Sequence, residues 1–466
     1  MKDLLEGIAI FTLAYPSLMA MVWVCGGLYY YFQWERRDIA LAKRGLELPY
    51  YPRVTLMVPC YNEGANVEET IGHLLRQRYP DFEVLAINDG SKDDTGARLD
   101  RLAQQDPRLT VLHQHNQGKA MALNNGLTVA SGEILVGIDG DAVLDYDAVR
   151  WMVKHFIESP RVGAVTGNPR VRTRSTIIGK IQTGEFSSII GLIKRAQRIY
   201  GTVFTVSGVV VAFRKQAVEA VGGWSNDMVT EDIDISWKLQ LAGWLIHYQP
   251  QALCWVLMPE TVRGLYKQRL RWAQGGAEVF LRYGLQAMRW RNRRFWLLLL
   301  EYLSSVAWCY SMLLLALIWL IEPDLSGLAV GHLFQWTGVM MTAICLVQFG
   351  VSIFIDNHYD KSMARSFIWC VWYPLIYWLL NLVTVVVAVP KAILRRRGQL
   401  AVWKSPDRGE SFRDKTSAGE RDDHQQRRSA QLEVPAAGSA DPAGDLGRLA
   451  VSGAATLVQL SGDGGG

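Results

Sequence analysis

The sequence predicts an α/β domain with a mostly parallel sheet, embedded between transmembrane helices. Three observations predict it. Short apolar runs alternate with helix-periodic stretches from Val54 to Ile138, the pattern of strands joined by crossover helices. Polar and acidic residues gather just after the strand ends, where open α/β sheets place their ligands. Apolar runs long enough to cross a bilayer lie on both sides of this region.

The 466 residues allow two or three domains, and the net charge of +5 gives no argument for nucleic acid. Of six cysteines, Cys25, Cys309, Cys345 and Cys370 lie in long apolar runs, and Cys60 and Cys254 in strand-like ones. With no Cys-x-x-Cys pair, reduced structural thiols are expected, with no redox or zinc role.

The apolar runs are Ile8–Phe32, Phe295–Ile321, Leu328–Ile355 and Ser366–Val389. The first has no cleavage pattern and is long enough to span, so it reads as a helix rather than a signal peptide. Arg36, Arg37, Lys43 and Arg44 follow it, and Arg289, Arg291, Arg293 and Arg294 precede the second, so the middle domain is expected in the cytoplasm. The loop Glu322–Gly327 has no Lys or Arg and should lie outside, and Lys361 and Arg365 inside. Three full spans after the domain would then leave Arg395, Arg396 and Arg397 outside, against the rule. One run, such as that containing Pro374, would have to be re-entrant or interfacial.

Within the domain, Val54–Pro59 reads as a strand ending in Cys60-Tyr61-Asn62-Glu63-Gly64, and a helix follows with Val67, Ile71, Leu74 and Leu75 on one face. Phe82–Ile87 is a second strand, closed by Asn88-Asp89-Gly90-Ser91, and Leu109–Leu112 a third. Lys119 sits at a helix start, where the dipole disfavours a cation unless an anion is near. Glu133–Ile138 is the fourth strand, and it delivers Asp139 and Asp141 to the sheet edge. Two carboxylates so close repel each other unless a cation joins them, and hard oxygen ligands suit Mg²⁺ or Mn²⁺ carrying a diphosphate. The first turn lacks Gly-x-Gly-x-x-Gly, and no Gly-x-x-x-x-Gly-Lys loop exists, so neither a dinucleotide fold nor a P-loop is expected. Asp89 fits either a bond to a base or ribose, or a plain turn before Gly90.

Asp145–Glu158 reads as a helix and Val162–Thr166 as a strand. Ser175–Tyr200 mixes Ile, Leu and Phe with Lys180, Lys194, Arg195 and Arg198, and could lie on a membrane surface or pack on the sheet. Thr230 is placed to cap the helix that follows, with Glu231 and Asp232 in its first turn. A helix N-terminus keeps Asp232 ionised, as a general base requires. If Gln268-Arg269-Leu270-Arg271-Trp272 is helical, Gln268, Arg271 and Trp272 share a face. From Arg263 to Arg294 there are nine Lys or Arg against one acid, Glu278, interleaved with aromatics, as in helices lying on a membrane face.

Asn-Asp-Gly-Ser around Asp89, Asp-Gly-Asp at 139–141, Thr-Glu-Asp at 230–232 and Gln-Arg-Leu-Arg-Trp at 268–272, between membrane helices, resemble the processive family 2 glycosyltransferases of GT-A fold. The stretches 162–170, 184–194 and 255–260 are similar to those of the catalytic subunits that polymerise β-1,6-N-acetylglucosamine in bacteria; the resemblance spans roughly Ala20–Gly409 and not the tail.

The resemblance implies a donor site for UDP-N-acetylglucosamine at Tyr61, Glu63, Asp89, Lys119, Asp139 and Asp141. Asp141 would be the more direct ligand of Mg²⁺ or Mn²⁺, and Asp139 would share the site. It implies Asp232 as the base and Gln268, Arg271 and Trp272 as the acceptor and leaving-group face. The reaction would be an inverting displacement by the growing polysaccharide, exported through the bilayer of the inner membrane. It further implies a small membrane accessory subunit, with any cyclic-di-GMP control acting there, because the tail is too short for an appended binding barrel. Synthases of hyaluronan, chitin or cellulose share the same motifs. Single-transfer enzymes for polyprenyl-phosphate sugars usually lack Gln-x-x-Arg-Trp. The expected divisions are a membrane helix with a basic flank (1–45), the catalytic domain (46–260), interfacial helices (261–294), membrane helices (295–398) and a Gly-, Ala- and Ser-rich disordered tail (399–466). Glu301, inside an apolar run, is costly unless it faces a cavity or a partner, or lies near the interface.

Overall fold

The fold is seen in a computed structural model that describes residues 2–321, 329–361, 373–396 and 398. The expected outside loop at Glu322–Gly327, together with Arg365, Cys370, Arg397 and the tail from 399, lies outside the described residues.

Helix α1 (Lys2–Tyr30) runs through one π-helical turn into α2 (Arg36–Arg44). The first half of the domain is β1 (Val54–Cys60), α3 (Val67–Leu75), β2 (Phe82–Asp89), α4 (Thr95–Gln105), β3 (Leu109–Gln114), α5 (Lys119–Val129) and β4 (Ile134–Ile138). The second is β5 (Val143–Leu144), α6 (Ala148–Glu158), β6 (Val162–Val171), α7 (Ile177–Glu185), α8 (Leu192–Tyr200), β7 (Val210–Arg214), α9 (Lys215–Ala220), α10 (Glu231–Leu241) and β8 (Leu245–Val256). Then come α11 (Val262–Ala287), α12 (Trp296–Ile321), α13 (Ala329–Asp356) and α14 (Tyr373–Leu394).

One eight-stranded sheet has the order β3-β2-β1-β4-β7-β6-β8-β5. β3, β2, β1 and β4 are parallel, as alternating strands and helices require, and so are β6 and β8. The β4–β7, β6–β7 and β5–β8 pairs are antiparallel, so the sheet is mixed beyond β4. Alternation along each strand fills two cores. Val54, Leu56 and Val58 of β1 face one layer and Met57 the other.

α7 and α8 are buried, with Lys194 and Arg195 inside, so Ser175–Tyr200 packs on the sheet instead of lying on a membrane surface. Close approach to α1 allows this. A Cβ on Gly26 would sit 2.7 Å from the Cβ of Ala196, and one on Gly27 would sit 2.4 Å from Leu192. At the base of α1 lies a buried ionic knot. Arg195 donates to both oxygens of Glu35 (2.8 and 2.7 Å) and to Asp356 at the end of α13 (2.9 Å). Arg170 of β6 donates to Asp356 (3.0 Å), and Tyr359 donates to Glu35 (2.6 Å).

Among the described residues, three stretches are long and apolar enough to cross a membrane, Asp3–Arg44, Trp290–Ile321 and Ile376–Leu394, and α13 contributes a shorter apolar segment, Thr342–Asp356. Trp23 stacks on Trp378 at 5.8 Å, with Trp308 edge-on to the latter, and these rings centre the bundle. Asp360, just after α13, pairs with Arg174 at 2.5 Å, and Arg395, just after α14, pairs with Glu278 of α11 at 2.6 Å.

Candidate active site

The chemistry-bearing residues line one cavity of about 630 Å³, which runs from the sheet edge into the helix bundle. Tyr61, Glu63, Asp89, Lys119, Asp139, Asp141, Asp232, Gln268, Arg271 and Trp272 all reach it.

On the sheet side, short turns fix the geometry. Glu63 is buried and accepts from Asn66 Nδ2 at 3.2 Å, closing the turn that starts α3. Gly140 lies so close to it that a Cβ would meet Glu63 at 3.0 Å and Cys60 Sγ at 3.3 Å. Thr70 donates to the Gly140 carbonyl at 3.0 Å, so α3 anchors the turn bearing Asp139 and Asp141. Both oxygens of Asp89 are engaged. Oδ1 accepts from Gln114 Nε2 and from the Gln117 amide, and Oδ2 from the Gly118 amide, each at 2.8 Å. Asp89 therefore shapes the loop before α5 as well as facing the cavity, and Gly90, at φ +67°, passes where a Cβ would strike the Asn116 amide at 2.7 Å.

Lys119 is the electrostatic centre. Its Nζ lies 2.6 Å from Asp139 and 2.9 Å from Glu231, and donates to the Gly208 carbonyl at 3.2 Å. These two carboxylates are the anions that a cation at a helix start calls for. Burial opposes the ammonium, but Asp139 and Glu231 outweigh it and hold Lys119 far above its ordinary pKa. Glu231 is correspondingly held low: burial resists, and Lys119 and Arg271 prevail. Asp232 goes the other way. Burial, joined by the Glu231 charge, pushes its carboxyl up to about 6 against the pull of Lys119 and Arg271.

Asp232 Oδ1 accepts from its neighbouring Ile233 amide at 2.9 Å, and a Cβ on Gly208 would lie 3.1 Å from its Oδ2. Thr230 does not cap α10. Its hydroxyl makes no cap bond and is buried against α11, where a Cβ on Gly275 would fall 1.9 Å from Thr230 Oγ1. Tight packing of α11 has displaced the cap expected from sequence.

α11 brings Gln268, Arg271 and Trp272 to the cavity. Sequence reasoning assigned nothing to Arg269, which clamps this face. Its Nε donates to Glu185 at 2.9 Å, its Nη1 to Gln268 Oε1 at 2.7 Å, and its guanidinium lies 4.1 Å from the Trp272 ring centre. The available signal was its position three residues before Trp272, on one helix face. Glu231 was likewise quoted only as a neighbour of Asp232. Glu301 faces the cavity and accepts from Trp23 Nε1 (3.1 Å) and Gln197 Nε2 (3.2 Å).

Asp139 and Asp141 are half-buried, and no cluster of three or more His, Cys, Asp or Glu suited to a metal occurs among the described residues. A two-carboxylate site fits a hard divalent cation whose remaining ligands are diphosphate oxygens and water. The arrangement as a whole can hold an anionic leaving group, deprotonate a hydroxyl and seat a sugar ring.

Residues 52–275 match the model described as glycosyltransferase like family 2. The poly-beta-1,6-N-acetyl-D-glucosamine synthase of Staphylococcus aureus (strain COL) is 42% identical over 407 residues, covering 86% of this chain and 99% of the relative. That of Staphylococcus epidermidis is 40% identical over 403 residues, covering 86% and 98%. A mannosyltransferase from Pyrobaculum calidifontis, solved with GDP-Man and Mn²⁺, superposes with a TM-score of 0.56 at 25% identity, over 77% of this chain and 99% of that one.

Proposed function

The chain belongs to glycosyltransferase family 2, and from that premise we propose how its residues share the work. The protein is a hexosyltransferase that takes N-acetylglucosamine from UDP-N-acetylglucosamine and builds poly-β-1,6-N-acetyl-D-glucosamine, a biofilm polysaccharide. It is a membrane protein.

In this reading Asp232 accepts the proton from the 6-hydroxyl of the acceptor's terminal sugar. That oxygen attacks the anomeric carbon as the bond to UDP breaks, so an α-linked donor gives a β linkage. Arg271 faces the departing diphosphate, electrostatic help of the kind that often dominates catalysis. Asp141 and Asp139 would hold a divalent cation, Mg²⁺ or Mn²⁺, which would neutralise the diphosphate when bound. Tyr61, Glu63 and Asp89 border the nucleotide, and Lys119 joins the donor acids to the helix carrying the base. Gln268 and Trp272 seat the acceptor.

The single observation that carries this reading is the bridge Asp139–Lys119–Glu231, next in sequence to Asp232, in one cavity with Arg271 and Trp272. The cavity continues past Glu301, Ser305 and Asn381, which supports export of the polymer between the membrane helices.

The catalytic domain lies in the cytoplasm of a multi-pass protein of the bacterial inner membrane, with the exposed Arg289, Arg291, Arg293 and Arg294 and the exposed Trp290 at the lipid surface. The ion pairs of Asp360 with Arg174 and of Arg395 with Glu278 support placing both of these residues on the cytoplasmic side, in keeping with the positive charge beside Arg395. A small membrane subunit would pack on the helices after the domain, and any cyclic-di-GMP control would act through it.

The test is incorporation of label from a panel of UDP-sugars by membranes carrying the full chain, with Asp232→Asn alongside. Polymer from UDP-N-acetylglucosamine alone, degraded by a β-1,6-N-acetylglucosaminidase and absent in the variant, is expected. Incorporation of another sugar would remove the substrate, and an active D232N variant would remove the base.

A further inference from the structure

A further cation, Lys194, lines the cavity beside Lys119, Arg269 and Arg271, and the mechanism above gives it no task. Lys194 of α8 is 6% exposed. Its Nζ donates to Thr166 Oγ1 at 3.1 Å, and no carboxylate lies within ion-pair distance of it among the described residues. A buried ammonium served by one side-chain hydroxyl is costly, and Lys194 lines the cavity, where an acceptor atom of a bound sugar can meet it.

Its place says which ligand. Thr166 Oγ1 also accepts from the Ser207 amide at 2.9 Å, and the next residue, Gly208, lies close enough to Asp232 that a Cβ there would be 3.1 Å from its Oδ2. On the same face of α8, one turn on, Gln197 donates to Glu301 of α12. Lys194 thus stands on the wall that leads from the base toward the bundle, away from the strand ends of β1, β2 and β4 that carry the donor residues. Burial brings its ammonium down to about 7, and Asp232 is the charge that opposes this. The carboxylate of Glu301 is already taken by Trp23 and Gln197.

We infer that Lys194 binds the terminal sugar of the acceptor through its acetamido carbonyl oxygen and so selects an acetylated chain end. The amide carbonyl is the strongest neutral acceptor on that sugar. A deacetylated end carries an ammonium instead, which Lys194 repels. This inference rests on the proposed reading that the acceptor is poly-N-acetylglucosamine, and it makes Lys194 a specificity-determining residue of that reaction.

The experiment uses membranes carrying the full chain, UDP-N-acetylglucosamine, and β-1,6 oligosaccharides ending in either N-acetylglucosamine or glucosamine. At pH 6.5 (roughly, below the Lys194 transition), wild type is expected to favour the acetylated end by tenfold or more in kcat/KM. In Lys194→Met the acceptor KM rises about tenfold, the preference falls toward one, and the KM for the donor stays within about twofold. Lys194→Arg keeps the preference and holds it to higher pH. A Lys194→Met variant that retains the preference overturns the inference, as does one that loses donor and acceptor binding equally. A wild type that polymerises N-acetylglucosamine without preference overturns this inference alone. A wild type that releases no UDP overturns the proposed function with it.

Discussion

Lys119 Nζ lies 2.6 Å from Asp139 Oδ1 and shares its charge with Glu231 at 2.9 Å, so one ammonium ties the end of β4 to the start of α10. The turn bearing Asp139 and the helix bearing Asp232 are thus tied together by a single side chain. Lys119→Met removes it and leaves the largely buried Glu231 and the half-buried Asp139 without their ammonium, a loss that for a fully buried pair typically costs about 3–5 kcal/mol and here less. UDP release is expected to fall by at least about 100-fold and the melting temperature to drop. A variant as stable and active as wild type would show that the bridge is incidental.

With Asp232 as the proposed base, its titration sets the expected pH dependence. Its ordinary value lies near 4 and the folded one at about 6, so the carboxyl becomes neutral and useless as a base below about 6. Polymerisation should fall about tenfold per pH unit on the acid side of that value. Arg271→Ala removes one of the charges that pull the value down, so the acid limb should move to higher pH. A flat profile from pH 5 to 8 (roughly the range Asp232 spans) would count against it.

Gly275→Ala tests the packing behind the Thr-Glu-Asp motif. The added methyl would overlap Thr230 Oγ1, and a shift of about 1 Å at the neighbouring base can cost about 100-fold in rate. The protein should still reach the membrane, with kcat reduced and the KM for the donor little changed.

Arg269 and Glu185 form a buried pair beneath Trp272. Arg269→Met should raise the acceptor KM and destabilise the protein by about 3 kcal/mol, because Glu185 is left charged and alone. Arg269→Met/Glu185→Met together should recover much of the stability and little of the activity, since the cation over the indole, worth about 1–2 kcal/mol, stays absent. Full recovery of activity in the double variant would show that Trp272 does not need it.

Chelation by EDTA should abolish UDP release, and Mg²⁺ or Mn²⁺ should restore it. Asp141→Asn should raise the cation concentration needed for half-maximal activity by tenfold or more (roughly the loss of one charged ligand).

The parallel half of the sheet was legible because strand periodicity is local, whereas the cavity-lining set as a whole came from the family resemblance of its motifs. Asp139 and Asp141 follow a strand whose apolar run is plain in the sequence, and Gln268, Arg271 and Trp272 share a face by helical spacing alone. What was not legible depends on partners far apart in the chain. The antiparallel insertion of β7 between β4 and β6 leaves no mark on its own residues. Thr230 looks like a cap until Gly275 presses on it. Burial of Lys194 and Arg195 depends on Gly26 and Gly27 admitting α8 against α1. Arg395 meets Glu278 of α11, a partner more than a hundred residues away that local sequence cannot indicate.

The knot of Arg195, Arg170, Glu35 and Asp356 has a consequence for biogenesis. The two arginines belong to the catalytic domain, but the acids that neutralise them lie at the ends of α1 and α13. A ribosome therefore completes the domain's own residues while Asp356 is still untranslated. The domain must wait, with Arg195 held by Glu35 alone and Arg170 without its acid, until a pair of later helices has been made and α13 delivers Asp356. Insertion and domain maturation are in this way one cooperative event, and a chain released before Asp356 should be cleared by proteases although every catalytic residue has been made. Pulse-labelling of truncated chains, ended before or after α13, reads this directly as a difference in half-life.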